Sequence, residues 1–206
     1  MTQVLRTTNE INEQLIKLDP ALKKLIPESP IEVQLADDYF ASIASAIVGQ
    51  QLSNRVADVL WSRLVTLASN DVSPETILSF SDEKLREIGI SYSKIKYLKA
   101  LASAVDEKML DLSSLHLFDD EEIIRRLTQV KGVGPWTAEM FLIFSMGRTD
   151  VFSIGDGGLQ RAVKWLYQLD EIPGKEEMLR ISSQWKPYRT VAALYLWRAL
   201  DEKIIS

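Results

Sequence analysis

Apolar residues recur at helical spacing along most of the chain, and this periodicity constrains its fold more than any other feature. The apolar positions of two such segments are Phe40, Ile43, Ala44 and Ile47 in DYFASIASAIVGQ, and Val56, Val59, Leu60, Leu64 and Leu67 in VADVLWSRLVTLA. The segment KIKYLKALASAV repeats the pattern, and no convincing run of strand-like alternation competes with it. The pattern therefore predicts an all-α protein of about ten helices joined by short turns.

Helix-start signals agree with this periodicity. Asp19-Pro20 and Ser73-Pro74 each combine a capping residue with a proline in the first helical turn. Asp119 is followed three residues later by Glu122, a spacing that predicts a capping box. Nine glycines and seven prolines are few for 206 residues, and they fall between the periodic segments.

Composition excludes several classes of protein. A chain of 206 residues with 46% apolar and 26% charged residues is typical of a folded globular protein, either one domain or two small lobes. The absence of cysteine excludes disulfides, thiolate metal sites and iron–sulfur clusters, and a single histidine leaves little room for a histidine-rich metal site. No segment approaches the length of a membrane helix, and the N-terminus lacks the apolar core of a signal peptide, so we expect a cytoplasmic protein.

The net charge gives a mixed indication about partners. Its value of −5 argues against nucleic acid when taken for the whole chain. However, residues 125–164 contain six basic and three acidic side chains, and residues 91–105 contain three lysines and no acid. These two local excesses predict a positive surface suited to phosphodiesters, with modest and salt-sensitive affinity.

The turn Lys131-Gly132-Val133-Gly134-Pro135 joins two predicted helices in very few residues. Its glycines allow backbone angles that are closed to other residues, and Pro135 suits the first position of a helix. Backbone N–H groups at such a helix start lack intrahelical acceptors and, with the helix dipole, form a phosphate site. The alternative is a simple glycine C-cap between two packed helices.

The segment LTQVKGVGPWTAEMFLIFSMGRTDVFSIGDGGLQRAV resembles the helix-hairpin-helix and Gly/Pro-rich loop with aspartate of the base-excision DNA glycosylase superfamily. Within it, the chain is similar to the 3-methyladenine DNA glycosylase II branch, through ASAIVGQQLSNRVA, LREIGISYSKIKYLKALA and QWKPYRTVAALYLW as well. The resemblance covers roughly residues 20–200. It implies the compact form of the family, with two helical lobes around a cleft: residues 36–149 in one lobe, and residues 1–35 plus 150–206 in the other.

The resemblance implies a monofunctional DNA glycosylase that flips alkylated purines, of the 3-methyladenine and 7-methylguanine type, out of duplex DNA and hydrolyses the N-glycosidic bond. The catalytic aspartate of the family falls on Asp156, whereas from the residues alone an aspartate before a helix is an ordinary N-cap. A fixed carboxylate there stabilises the oxocarbenium charge on the sugar and can orient the attacking water. Trp136 stands where strand-cleaving relatives carry a Schiff-base lysine, so we expect no lyase activity.

The resemblance also implies roles for other residues. Electron-poor alkylated purines suit an electron-rich aromatic pocket, to which the resemblance assigns Trp136 and Trp197, with Tyr39 a looser candidate. Met140 stands where some relatives have an aromatic residue of the same pocket. The wedge that fills the gap after base flipping falls on Gln51 or Leu52, although Leu52 is equally explained as an apolar staple into the core.

The remaining assignments concern phosphate and a cation. The candidate phosphate contacts are Lys131, Gly132, Gly134, Thr137, Lys186 and Arg189. For Lys186 and Arg189 the alternative is that they only cap the last helix. The family hairpin often holds a structural monovalent or other hard cation on backbone carbonyls, which here would be those of Thr128, Val130 and Val133. No cofactor is required for the reaction, and no side-chain cluster suggests a catalytic metal.

Two other functions remain open at this level. One is a non-catalytic helix-hairpin-helix module that grips DNA without sequence preference; such a module would need the hairpin but not Asp156, Trp136 or Trp197. The other is a glycosylase of the same superfamily that acts on uracil, mismatched or oxidised bases. In either case the expected partner is double-stranded DNA; we expect no membrane association, no obligate protein partner and a monomer.

Overall fold

The computed structural model describes residues 3–26 and 30–205, and within these ranges the protein is mostly helical, which confirms the all-α prediction. The described α-helices are α1 Asn9–Leu18, α2 Tyr39–Gly49, α3 Asn54–Leu67, α4 Pro74–Ser79, α5 Asp82–Glu87, α6 Tyr92–Asp106, α7 Asp120–Leu127, α8 Pro135–Phe144, α9 Gly157–Tyr167, α10 Lys175–Ser183 and α11 Arg189–Asp201. Short 3-10 helices span Pro20–Lys24 and Leu112–Leu117. None of the described helices has the length and apolar character that crossing a bilayer requires.

One small sheet was not expected from the periodicity. Strand β1, Val4–Arg6, pairs antiparallel with β2, Glu32–Gln34, in a register that places Leu5 opposite Val33. Side chains alternate between the two faces of a strand every two residues. A strand of three residues therefore shows only one alternation, which is too short a pattern to recognise in the sequence. The sheet ties the N-terminal segment to the stretch that precedes α2.

The predicted helix starts are confirmed, with one difference. Asp19 accepts a hydrogen bond from Ala21 N–H, and the Ser73 hydroxyl accepts one from Thr76 N–H, each with proline in the first turn. Asp119 accepts from the backbone N–H of Glu122 at 2.8 Å. Glu122, however, turns its carboxylate towards the arginines one turn further along the helix, which compete for the carboxylate that a full capping box would use.

The chain folds into two compact units. The central unit comprises Ala36–Phe141, and the terminal unit comprises the segment up to Leu35 together with the segment from Leu142 onward. Within the central unit, α6 packs against α2, α4 and α5 and buries Ile95, Leu98 and Leu101. Helix α6 is therefore the element on which the other helices of this unit are assembled.

The apolar stripe of helix α3 is only partly buried. Leu64 is fully buried, but Val56 and Val59 are 44% and 45% exposed. Their spacing places these valines on one face of α3, and other described residues cover that face only in part. Periodicity identified the helix correctly, but the apolar stripe is a property of one helix, whereas its burial depends on the neighbouring elements.

The terminal unit has a core centred on α9 and α11. Trp185 and Tyr195 are its largest fully buried side chains, and the ring of Phe152 packs edge-on against Trp185 with centroids 5.2 Å apart. The Tyr195 hydroxyl donates to Asn12 Oδ1 at 2.7 Å, so a side chain of α1 is bound to the middle of α11. Phe152 lies in the loop between α8 and α9 and belongs to this core, so the core holds that loop in place.

The polar centre of this core is the carboxylate of Asp19, which is 6% exposed. It accepts hydrogen bonds from Ala21 N–H at 3.0 Å, from the Trp185 indole N–H at 2.9 Å, and from the Tyr167 hydroxyl. Burial, together with the hydrogen bond to Asp19, raises the pKa of Tyr167 well above its ordinary value, so its hydroxyl remains protonated and continues to donate. One carboxylate thus joins the end of α1 to α9 and to Trp185.

Replacing Asp19 by alanine should lower the free energy of unfolding by about 3 kcal/mol, because the buried indole N–H of Trp185 and the half-buried hydroxyl of Tyr167 lose their acceptor. Urea denaturation followed by tryptophan fluorescence measures the change. Glu13→Ala, an exposed change on α1, is the matched control and should cost much less. Equal losses in the two variants would contradict the role assigned to Asp19.

Candidate functional site

Asp156 is the N-cap of α9, and its carboxylate is held by two donors. Oδ1 accepts a hydrogen bond from the backbone N–H of Leu159 at 2.8 Å and from the indole N–H of Trp197 at 3.1 Å. The Asp156 N–H donates to the carbonyl of Ser153, which closes the turn before the helix. The carboxylate is half-buried at the positive end of a helix dipole and has a defined orientation.

Gly158 makes room for this carboxylate. A Cβ at position 158 would lie 2.9 Å from Asp156 Oδ1 and 3.4 Å from the nearest methyl carbon of Leu200. Any larger residue would therefore displace the carboxylate or the C-terminal part of α11. Gly155, by contrast, has open space where its Cβ would be, so no packing constraint requires a glycine there.

Trp197 contacts a second aromatic residue that the sequence reasoning missed. The ring of Phe144 lies with its centroid 5.9 Å from that of Trp197, at an interplanar angle of 33°, and Phe144 is 36% exposed. An aromatic pair therefore lies beside the carboxylate of Asp156. The available signal was the spacing of Trp136, Met140 and Phe144, which follow one another every four residues along α8 and so share a helix face.

In the hairpin of the central unit, Gly132 has a constraint that Gly134 lacks. Gly132 has φ of +95°, and a Cβ there would lie 2.1 Å from Cγ of Tyr97. Gly134 is outside the positive-φ region and has nothing within 4 Å of its would-be Cβ. Gly132 thus uses a backbone angle that is closed to other residues, whereas Gly134 does not, and the backbone of Gly134 is open to a ligand.

Helix α8 begins at Pro135, directly after the hairpin, as expected for a proline at the first helical position. The carbonyl of Gly134 accepts the first intrahelical hydrogen bond, from Ala138. The N–H groups of the first turn have no carbonyl one turn earlier in the helix to which they can donate. Of the residues predicted to contact phosphate here, Lys131 is exposed, whereas the side chain of Thr137 is buried.

A groove of about 550 Å³ runs beside the hairpin within the central unit. Its lining residues are Gln50, Gln51, Ser91, Ser93, Lys94, Tyr97, Gly132, Val133 and Gly134. It thus brings together four predicted site residues: Gln51, Gly132, Val133 and Gly134. The Lys94 ammonium donates to the carbonyl of Val48 at 2.7 Å, and burial lowers the pKa of this lysine.

Both wedge candidates project from the turn between α2 and α3. Gln51 is exposed, lines the groove and has φ of +57°, a left-handed conformation that is uncommon for residues other than glycine. Leu52 is 37% exposed, so most of its surface is covered and its alternative interpretation as an apolar staple is not excluded. Both side chains are accessible, and the choice between them stays open.

The other predicted pocket residues of the central unit do not line the groove beside the hairpin. Tyr39 begins α2 and packs edge-on against Phe141, with ring centroids 5.1 Å apart, beside a separate shallow pocket. Met140 is half-buried, and Trp136 is 45% exposed. Within the central unit, Tyr39 therefore does not share the groove beside the hairpin.

The two basic residues predicted near α11 differ in their availability. Lys186 is exposed. Arg189 is held by Asp150: its Nε lies 2.7 Å from one carboxylate oxygen, and Nη2 lies 3.1 Å from the other. Because this pair is bidentate and mostly covered, Arg189 is a poorer candidate for phosphate than expected and braces the start of α11 instead.

The local excesses of positive charge are also smaller on the surface than in the sequence. Lys99 is paired with Asp82 at 2.5 Å, and Arg125 and Arg126 share the carboxylate of Glu122. Hydrogen bonds from these two arginines lower the pKa of Glu122 to about 2, so the carboxylate stays charged and paired near neutral pH. The acids that neutralise these bases lie just outside the two basic segments of the sequence.

The predicted cation site consists of oxygen donors at the end of a helix. Thr128 is the C-cap of α7, and the carbonyl of Val130 accepts one hydrogen bond, from Val133 N–H at 3.0 Å, which leaves its second lone pair. Carbonyl oxygens at the negative end of a helix dipole suit a hard cation. No cluster of three or more His, Asp or Glu side chains within residues 3–26 and 30–205 is arranged to hold a metal.

Comparison with known families agrees with this geometry. Residues 44–187 match the family described as HhH-GPD superfamily base excision DNA repair protein. The chain therefore belongs to this superfamily, as the resemblance of its motifs implied. DNA-3-methyladenine glycosylase 1 of Schizosaccharomyces pombe is similar to this chain, at 35% identity over 96% of the chain and 93% of that protein.

Solved structures show the same similarity. A DNA-3-methyladenine glycosidase from Bacillus halodurans has a TM-score of 0.84 and 38% identity, covering 96% of this chain and 92% of that one. The 3-methyladenine DNA glycosylase of S. pombe in complex with abasic DNA has a TM-score of 0.82 and 31% identity, covering 94% and 97%. The HhH-GPD fold therefore accounts for nearly the whole chain.

The two hairpin glycines should respond differently to alanine. Gly132→Ala should lower the free energy of unfolding by about 3 kcal/mol or more, because the methyl group overlaps Tyr97 and the backbone angle is strained. Gly134→Ala should leave thermal stability nearly unchanged. Differential scanning calorimetry of the two variants tests this contrast, and equal melting temperatures would contradict it.

Proposed function

We propose that this protein is a monofunctional DNA glycosylase that removes alkylated purines from duplex DNA during base excision repair. The observation that carries the proposal is the carboxylate of Asp156, oriented by two hydrogen bonds beside an aromatic pair, in a chain of the HhH-GPD superfamily. The names of the similar proteins, which are DNA-3-methyladenine glycosylases, favour alkylated bases over uracil, mismatched or oxidised ones.

In the proposed reaction Asp156 stabilises the positive charge that develops on the deoxyribose as the N-glycosidic bond breaks. A carboxylate supported at a helix N-terminus needs little reorganisation, because Leu159 N–H and Trp197 N–H already fix its direction. The same carboxylate orients the water that attacks the sugar. A purine alkylated at a ring nitrogen is already cationic, leaves as a neutral molecule and requires no general acid.

The pocket for the flipped base is proposed to be aromatic. Trp197 and its neighbour Phe144 supply electron-rich rings next to Asp156, and Trp136, Met140 and Tyr39 are the further candidates. Stacking and cation–π attraction favour a cationic purine over a neutral one on such surfaces. The protein then selects alkylated purines by their positive charge and by the ease with which they leave the sugar, and it needs few specific hydrogen bonds to the base.

DNA is proposed to be held at the hairpin. The open backbone at Gly134, the first turn of α8 and the exposed Lys131 supply donors for one phosphate. Gln51 or Leu52 enters the gap that the flipped nucleotide leaves. A cation on the carbonyls of Thr128, Val130 and Val133 would add positive charge next to that phosphate.

Other properties follow from this function as proposals. The partner is double-stranded DNA that contains alkylated bases, which one protein molecule suffices to process. The chemistry needs no cofactor, because the carboxylate and water do the work. Since the substrate is chromosomal, the protein acts in the cytoplasm of a cell without a nucleus, at the nucleoid, or in the nucleus.

The mechanism predicts that Asp156→Asn will slow base release by about 100-fold or more, because the amide keeps the shape but loses the charge. The assay is release of free 7-methylguanine and 3-methyladenine from methylated duplex DNA. Asp170→Asn, an exposed aspartate beyond α9, is the matched control and should keep wild-type activity. Full release by Asp156→Asn, or none by the wild type, would overturn the mechanism.

The absence of lyase activity is tested separately. Because Trp136 cannot form a Schiff base, borohydride should not trap the protein on duplex DNA that contains an abasic site. A strand-cleaving glycosylase serves as the positive control in the same reaction. Efficient trapping of this protein would show that a lysine, Lys131 being the nearest in sequence, attacks the sugar.

A further inference from the structure

Gln50 connects the turn that carries the wedge candidates to the hairpin. It follows the last residue of α2, and its side-chain Nε2 donates to the carbonyl of Gly132 at 2.9 Å. The same nitrogen lies 3.5 Å from the hydroxyl oxygen of Thr137, a longer and weaker contact. Gly132 is 82 positions away in the chain, so this amide joins two segments that only the fold brings together.

The turn that follows Gln50 is conformationally strained. Gln51 has φ of +57°, and a left-handed conformation costs a residue with a side chain about 1 kcal/mol or more. Such a conformation persists only where its surroundings impose it. Two contacts hold the entrance to the turn: the amide of Gln50 on the hairpin, and the ammonium of Lys94 on the carbonyl of Val48.

The donors of Gln50 point into the protein. Its Nε2 carries two hydrogens, and both nitrogen contacts are to protein oxygens, Gly132 O and Thr137 Oγ1. A phosphate nearby would find these donors already engaged. The effect of Gln50 on DNA is therefore exerted through the residues on either side of the bond, Gln51 in the turn and Gly132 in the hairpin.

We propose that Gln50 is a positioning residue for base flipping, which fastens the turn Gln50–Ser53 to the hairpin so that the wedge and the phosphate grip act as one rigid part. The proposal rests on the proposed glycosylase function and deepens it. Without the bond, the hairpin still binds phosphate through its own backbone, while the turn relaxes and the wedge enters the helix less often. The flipping step should suffer, and the affinity for undamaged DNA should not.

The test compares Gln50→Met with wild type. Methionine has a similar length and no donor, and Gln14→Met, an exposed change on α1, is the matched control. The single-turnover rate of 7-methylguanine release at saturating enzyme should fall about tenfold, the effect of losing one buried hydrogen bond in the flipped state. The dissociation constant for undamaged duplex should change less than about twofold, because phosphate contacts dominate it.

Two further measurements separate positioning from a merely structural role. Duplex DNA with 2-aminopurine at the target position should show a smaller fluorescence rise with Gln50→Met than with wild type, while thermal unfolding confirms that the variant is folded. Gln50→Glu keeps the shape, replaces the donor by an acceptor that repels the Gly132 carbonyl, and should be at least as slow. The carboxylate of Gln50→Glu also tests whether a negative charge in the groove weakens DNA binding, a question that Gln50→Met does not address.

The outcomes are distinct. An unchanged rate and fluorescence in Gln50→Met, with an active wild type, overturn the positioning role alone. A loss of duplex affinity equal to the loss of rate overturns it in favour of a direct DNA contact. A wild type that flips 2-aminopurine but releases no alkylated base contradicts the proposed function and leaves Gln50 to be judged by the fluorescence; a wild type that does neither overturns both.

Discussion

The close approach of the Gly132 backbone to the ring of Tyr97 is the constraint on which the groove of the central unit depends. Because position 132 has no side chain and tolerates a φ of +95°, the hairpin lies directly against α6. In this position the carbonyl of Gly132 accepts a hydrogen bond from the side chain of Gln50, so the turn after α2 becomes part of the same surface. A larger residue at 132 would separate three elements that the proposed site needs in contact.

In the terminal unit, too, a glycine makes room for a close contact at the site. Gly158 permits the carboxylate of Asp156 to fold back over the start of α9, where a backbone N–H and an indole N–H orient it. Trp197 has two roles in this geometry, since its ring contacts Phe144 while its nitrogen donates to Asp156. Binding an aromatic base and orienting the catalytic carboxylate are therefore coupled through one side chain, which links recognition to chemistry in the proposed function.

The acidic balance of the chain is compatible with the proposed DNA binding, because backbone N–H groups at a helix start attract phosphate without basic side chains. Several bases of the basic segments are neutralised by acids near them in space, such as Lys99 by Asp82, and Arg125 and Arg126 by Glu122. What remains at the hairpin is an open backbone, the start of α8 and Lys131. A helix N-terminus attracts one phosphate at close range without the long-range attraction of a basic surface, which favours modest affinity for undamaged DNA.

The sequence by itself determined the helical class, several helix starts, the superfamily, the hairpin and the candidate aspartate, because periodicity, caps and short motifs are local and leave their mark within a few residues. It did not indicate the two short strands, the exposure of Val56 and Val59, or the pairing of the basic residues. Nor did it indicate Gln50 and Phe144, whose partners Gly132 and Trp197 are 82 and 53 positions away. Only the tertiary structure decided these features, because burial, ion pairing and hydrogen bonding across such separations depend on which elements meet.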